Sequence, residues 1–87
     1  MLIERTEGLI SAEVGEETVI MSLHSGYFYQ LNRIASLLWK LLETPAELSY
    51  LCDRMQARFE IEKDTCLRDI AEFLLAMRNQ GILRIGS

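Results

Sequence analysis

His24 stands between Ser22 and Ser25, Cys52 and Cys66 are the only two cysteines, and Gly26-Tyr27-Phe28-Tyr29-Gln30-Leu31-Asn32 is an aromatic-rich run without charge or proline. Each group offers a different chemistry. A histidine beside serine hydroxyls has the residue types of a hydrolase, but that chemistry also needs an acidic residue to orient the imidazole, and none is near in sequence. His24 therefore reads as a turn residue. The cysteines are too few and too far apart for a CxxC metal or redox motif, and both fall inside helical patterns. They are expected as small buried hydrophobes in a reducing compartment. No Gly-rich phosphate loop, HExxH pattern or Ca²⁺ loop occurs. No catalytic residue, metal ligand or cofactor is expected.

The aromatic run offers its backbone. In a strand Phe28 points opposite to Tyr27 and Tyr29, so the three rings cannot all face one core, and Leu31 is assigned to the core. At a sheet edge this strand would lack the Lys, Pro or bulge residues that protect edges. Its unpaired N–H and C=O groups would then template another extended chain. The chemistry on offer is capture of a peptide by strand addition.

Composition bounds the alternatives. With 87 residues, 49% hydrophobic and 25% charged, the chain is globular in type, long enough for one domain and too short for two, so residues 1–87 are expected to form a single domain. No apolar run approaches the ~18 residues of a membrane span. Met1 to Gly8 carries Glu4, Arg5 and Glu7 where a signal peptide has basic and apolar regions, which points to the cytoplasm. The net charge of −4 is accounted for by Glu4, Glu7, Glu13, Glu16 and Glu17 less Arg5, and the rest of the chain is neutral. Binding to nucleic acid or to an anionic membrane draws on Lys and Arg stripes, so neither partner is expected.

These residues need elements to position them. Ile10, Ala12 and Val14, then Val19, Met21 and Leu23, alternate as the faces of two strands, with turn chemistry at Gly15-Glu16 and His24-Ser25-Gly26. Strands are predicted at about 9–14, 17–23 and 27–31, as an antiparallel meander. Asn32 suits the cap of a helix over about 33–43, whose polar residues Arg33, Ser36, Lys40 and Glu43 form one narrow stripe on an otherwise apolar surface. Thr44-Pro45-Ala46-Glu47 has the form of a capping box and predicts a second helix over about 45–59, with Leu48, Leu51, Cys52, Met55 and Phe59 on its apolar face. A third helix is predicted over about 63–80, stopping at Gly81. Leu67, Ile70, Ala71, Leu74 and Met77 make its core stripe. Cys66 and Phe73 widen the apolar arc beyond what one packing surface needs, enough to line a groove. Ile82 to Ile85 reads as a short extended segment that covers an edge or forms a small wing. The fold class is α+β, winged-helix-like.

A three-strand meander, an xLN strand-to-helix junction, a Trp-bearing helix, a second helix and a third ending in Gly-Ile-Leu together resemble the PqqD-like family, whose members are also called RiPP precursor recognition elements. The matching residues are Tyr27 to Asn32, Ala35 to Trp39, Phe59, Asp69, Phe73-Leu74 and Gly81-Ile82-Leu83. The resemblance implies a non-catalytic adaptor that binds the leader of a ribosomally made precursor peptide, antiparallel to the third strand and against the third helix. It implies contacts from Tyr27, Phe28, Tyr29, Gln30 and Leu31 on the strand, and from Cys66, Leu67, Asp69, Ile70, Phe73 and Leu74 on the helix. The Gly-Tyr-Phe-Tyr-Gln-Leu-Asn stretch looks most like the discrete leader-binding proteins of lasso-peptide pathways. A leader peptidase would then be the enzymatic partner, and the leader would present an aromatic residue and a proline.

Three other readings use the same elements. A winged-helix DNA-binding regulator has this architecture, but the third helix mixes Arg68 and Arg78 with Asp64, Asp69 and Glu72. A PqqD-type partner of a radical SAM maturase would share the fold. A homodimer pairing the exposed strand with itself would leave no site for peptide, so the expected state is a monomer or weak homodimer.

Overall fold

The computed structural model describes residues 1–86; Ser87, the last residue of the expected domain, lies outside them. In chain order the elements are β1 (Leu2–Arg5), β2 (Leu9–Val14), β3 (Glu17–Ser22), β4 (Phe28–Leu31), α1 (Arg33–Leu41), β5 (Ala46–Glu47), α2 (Leu48–Arg58), α3 (Lys63–Asn79) and β6 (Leu83–Gly86). They make an α+β fold of three helices and two small antiparallel sheets, ordered β2-β3-β4 and β5-β1-β6. The meander matches expectation. The second sheet does not: Leu2–Arg5 was read only for its charges, yet it is the central strand between β5 and β6.

That sheet also explains the failure of the capping box. Ala46 pairs with Ile3 and Glu47 with Leu2, so the residues expected in the first helical turn serve a ladder instead. The Glu47 carboxylate, which the box would fold back on Thr44, meets the Met1 ammonium at 3.0 Å. Burial of Ile3, which is wholly inaccessible, outweighs a local cap. Helix α2 therefore starts at Leu48, three residues late, with no side-chain cap. By contrast Asn32 caps α1 as expected, its Oδ1 accepting from Ala35 N at 2.9 Å. Gly81, at φ +81°, ends α3 in a Schellman motif, with Ile82 N donating to Met77 O at 3.0 Å and Gly81 N to Arg78 O at 2.9 Å.

One core joins both sheets to the helices: Ile3, Ile20 and Leu31 from strands, Leu38 and Trp39 from α1, Leu51, Cys52 and Met55 from α2, Cys66, Ile70, Leu74 and Met77 from α3, with Ile82 and Leu83 closing it. Both cysteines are free and buried, as the sequence reading had them. One face departs from expectation, and another that alternation left open is fixed by the fold. Ser36, placed on the polar stripe, is buried because its Oγ donates to Leu31 O at 3.2 Å, tying α1 to the end of β4. On β3 the side reaching the core is Thr18 and Ile20, so Val19 and Met21 are only half-buried and Leu23 is exposed.

Candidate functional site

β4 is an edge strand, paired with β3 on one side only. Its hydrogen-bonding phase follows from the turn that precedes it. Gly26, at φ +74°, donates to Ser22 O at 2.8 Å, and Ser22 N donates to Tyr27 O at 3.0 Å, the arrangement of a glycine bulge. Tyr27 thus turns its carbonyl toward β3. Opposed residues in an antiparallel pair alternate between bonded and unbonded, so Tyr29 and Leu31 also face β3, through Ile20 and Thr18. Phe28 and Gln30 turn their N–H and C=O groups outward. The free edge therefore offers two donors and two acceptors in the spacing an antiparallel strand needs.

Beside that edge runs a groove against α3. A cleft of about 440 Å³ is lined by Phe28 to Asn32 on one side and by Phe73, Ala76, Met77 and Gln80 on the other, with Ala35 at its end. Tyr29 crosses its far end, the phenol donating to Gln80 O at 3.4 Å. A second, mostly apolar cavity of about 220 Å³ continues past Asn32, Ala35 and Phe73, between α1 and the start of α3. Ile61, Cys66, Ile70 and Met55 wall it, with the Asp69 carboxylate at its rim. Asn32, Ala35 and Phe73 belong to both spaces.

The expected contact residues divide. Phe28 is exposed and lines the groove, and Phe73 is half-buried between the two spaces. Tyr27 is exposed but lies beyond the groove, in a separate cleft with His24 and Gly81. Tyr29 packs half-buried against the core, and Leu31 is core as assigned. The Gln30 amide donates to Glu17 Oε1 at 2.7 Å. Cys66, Asp69 and Ile70 line the smaller cavity, whereas Leu67 and Leu74 line neither space; Leu74 is core and Leu67 packs against it. Sequence reasoning missed Ala76, Met77 and Gln80. They continue the helical row begun by Phe73 at i+3, i+4 and i+7, which is where the signal lay.

His24 sits in the turn, its ring against Gly8, and the Ser22 hydroxyl accepts from Ser25 N at 3.3 Å; among the described residues no carboxylate bonds the imidazole. Among the described residues no cluster of three or more His, Cys, Asp or Glu could hold a metal ion, and no helix is long and apolar enough to cross a membrane. Burial pushes the Cys66 thiol up from 9.0 to about 11, with Cys52 and Asp69 adding to the shift, so it walls the cavity as a neutral group. The native state holds this proton longer than the unfolded chain does. Stability is therefore full below pH 9.0 and falls as pH rises toward about 11. At pH 8, iodoacetamide should alkylate Cys66 about 100-fold more slowly in the folded protein than in urea, from thiolate content alone. Mass spectrometry of quenched aliquots reads this directly; equal rates would place the thiol in contact with solvent.

Residues 17–83 match the family described as coenzyme PQQ synthesis protein D, PqqD. Among solved structures, the chain is similar to TbiB1 in complex with the TbiA(beta) leader peptide, at TM-score 0.90 and 26% identity, over 97% of this chain and 98% of that one. It also shares the fold of a lasso peptide synthetase B1 complexed with the leader peptide, at TM-score 0.82 and 21% identity, over 95% and 98% of the two chains. No curated protein matches it significantly.

Proposed function

This chain belongs to the PqqD family, and from that membership we propose that it is a cytoplasmic, non-catalytic adaptor, which binds a precursor leader peptide as an added β-strand and presents the precursor to a processing enzyme. The domain is a single winged-helix-like unit, and the pathway is of the lasso-peptide type, with a leader peptidase as the enzyme. The observation that carries the reading is the free edge of β4 beside a groove against α3, in a chain that shares 26% identity and its fold with TbiB1, solved in complex with a leader peptide. Ladder bonds to Phe28 and Gln30 give affinity for any extended chain. The groove against Phe73, Ala76 and Met77 and the cavity behind Cys66, Asp69 and Ile70 select alternate leader side chains. Tyr29 and Leu31 line the groove while anchoring β4 to the core, and Tyr27, Leu67 and Leu74 support these walls from beside or beneath. An antiparallel leader enters with its N-terminal part at Asn32 and leaves at Phe28. Tethering then raises the concentration of the precursor at the enzyme without new chemistry.

Fluorescence polarisation of a labelled leader, from the precursor encoded beside this chain, tests the proposal. Wild type should bind saturably. Gln30→Pro removes an outward donor and leaves the β3 ladder intact, so it should fold and bind about tenfold more weakly, the loss of roughly one ladder bond. Tyr29→Pro instead breaks the ladder to β3 and should destabilise the hairpin itself. Absence of saturable binding by the wild type would overturn the proposal.

A further inference from the structure

The register aligns Ile10, Met21 and Phe28 in one cross-strand row and Ala12, Val19 and Gln30 in the next, all on one side of the meander. It is the side turned away from the core: Ile10 is 52% and Phe28 68% exposed, while Thr18, Ile20 and Leu31 are buried on the other. Val14, 64% exposed, extends the β2 row. An antiparallel sheet with one wet face ordinarily carries polar residues there, and a contiguous apolar face marks a contact with something else.

Two features identify the occupant. The first is continuity with the leader groove. Phe28 belongs to both surfaces, and a leader paired to β4 would add a fourth strand whose outward side chains extend this apolar face. The leader's C-terminal part leaves at the Ile10-Met21-Phe28 end, where an enzyme acting on the precursor must reach it. The second is charge. Residues 9–22 contain no Lys or Arg; Glu17, opposite Val14 on this face, meets only the neutral Gln30 amide, whereas Glu13, on the core side opposite Thr18, and Glu16, in the turn, are paired with Lys40 at 2.9 Å and Arg33 at 3.6 Å. The far end of the face thus stays negative.

We propose that the outward face of the β2-β3-β4 sheet is the docking surface for the processing enzyme, a protein presenting an apolar patch flanked by basic residues, and that bound leader forms part of this surface. The inference rests on the leader-binding reading above, and its test separates the two. Ile10→Asp and Ala12→Arg change exposed side chains that touch neither groove nor core. Each variant, with its fold checked by circular dichroism, is titrated first with labelled leader and then, leader-saturated, with the leader peptidase encoded beside the precursor. Leader affinity should stay within twofold of wild type, and peptidase affinity should fall at least about 30-fold in both variants. Unchanged peptidase affinity in both, or no association of the wild type with the peptidase, would overturn the docking surface while leaving leader capture intact. A wild-type homodimer in sedimentation that Ile10→Asp dissolves would assign the face to a second copy and also overturn it. Loss of leader binding in the wild type would remove both proposals.

Discussion

Phe73→Ala should weaken leader binding about 30- to 100-fold, roughly 2 to 3 kcal/mol, in a protein that remains folded. Phe73 is the one aromatic side chain on α3, and it borders both the groove beside β4 and the smaller cavity toward α1. Truncating it would merge the two spaces and remove the wall proposed for leader side chains. Binding energy at such interfaces concentrates in a few well-enclosed aromatic positions, while surrounding contacts chiefly exclude water. Because Phe73 is only half-buried in the free protein, the stability cost should be small beside that of Leu74→Ala, whose neighbouring side chain is core and whose loss costs about 2 to 5 kcal/mol. Polarisation with labelled leader, paired with a thermal melt of each variant, separates the two effects. Equal losses of affinity and stability in Phe73→Ala would place that ring in the core.

Trp39→Ala should cost about 3 to 5 kcal/mol of stability, a large share of what a domain of this size holds. The indole is 4% exposed and joins the two halves of the fold: the Arg5 guanidinium of β1 lies over its ring at 4.0 Å and donates to its backbone carbonyl. Burial lowers the Arg5 pKa, with Glu43 opposing the shift, but an arginine stays charged and the stacking persists across the working pH range. Truncation thus opens a cavity in α1 and strands a partly buried cation. For a domain of this size the melting temperature should drop by about 15 to 30 °C in calorimetry. A drop of only a few degrees would mean that β1 and α1 are held by other contacts.

The meander, the Asn32 cap and the Gly81 stop were legible because each is local: alternation, a capping oxygen, a positive φ. The second sheet was not, since Leu2–Arg5 is four residues long and its partners lie more than forty residues away. The same long-range pairing overrode the Thr44 capping box. Alternation on β2 and β3 showed that each strand has two faces without saying which is inward, because both carry apolar residues. That ambiguity is physical: Ile10, Ala12, Val19 and Met21 are apolar on a face that the isolated chain leaves exposed. At the groove, the third helix was visible as a wide apolar arc: Cys66, Asp69 and Ile70 line the smaller cavity, and the side facing β4 continues beyond them, at Phe73 to Gln80. Leu67 and Leu74 share the helix and point into the packing instead.

Amide hydrogen exchange across β4, read by NMR with and without saturating leader, tests strand addition most directly. In the free protein the amides of Tyr29 and Leu31, bonded to β3, should exchange slowly, and those of Phe28 and Gln30, facing the open edge, should exchange fast. Leader binding should slow Phe28 and Gln30 at least about tenfold and leave the alternate residues little changed. Saturating leader that protects neither Phe28 nor Gln30 would contradict capture by an added strand.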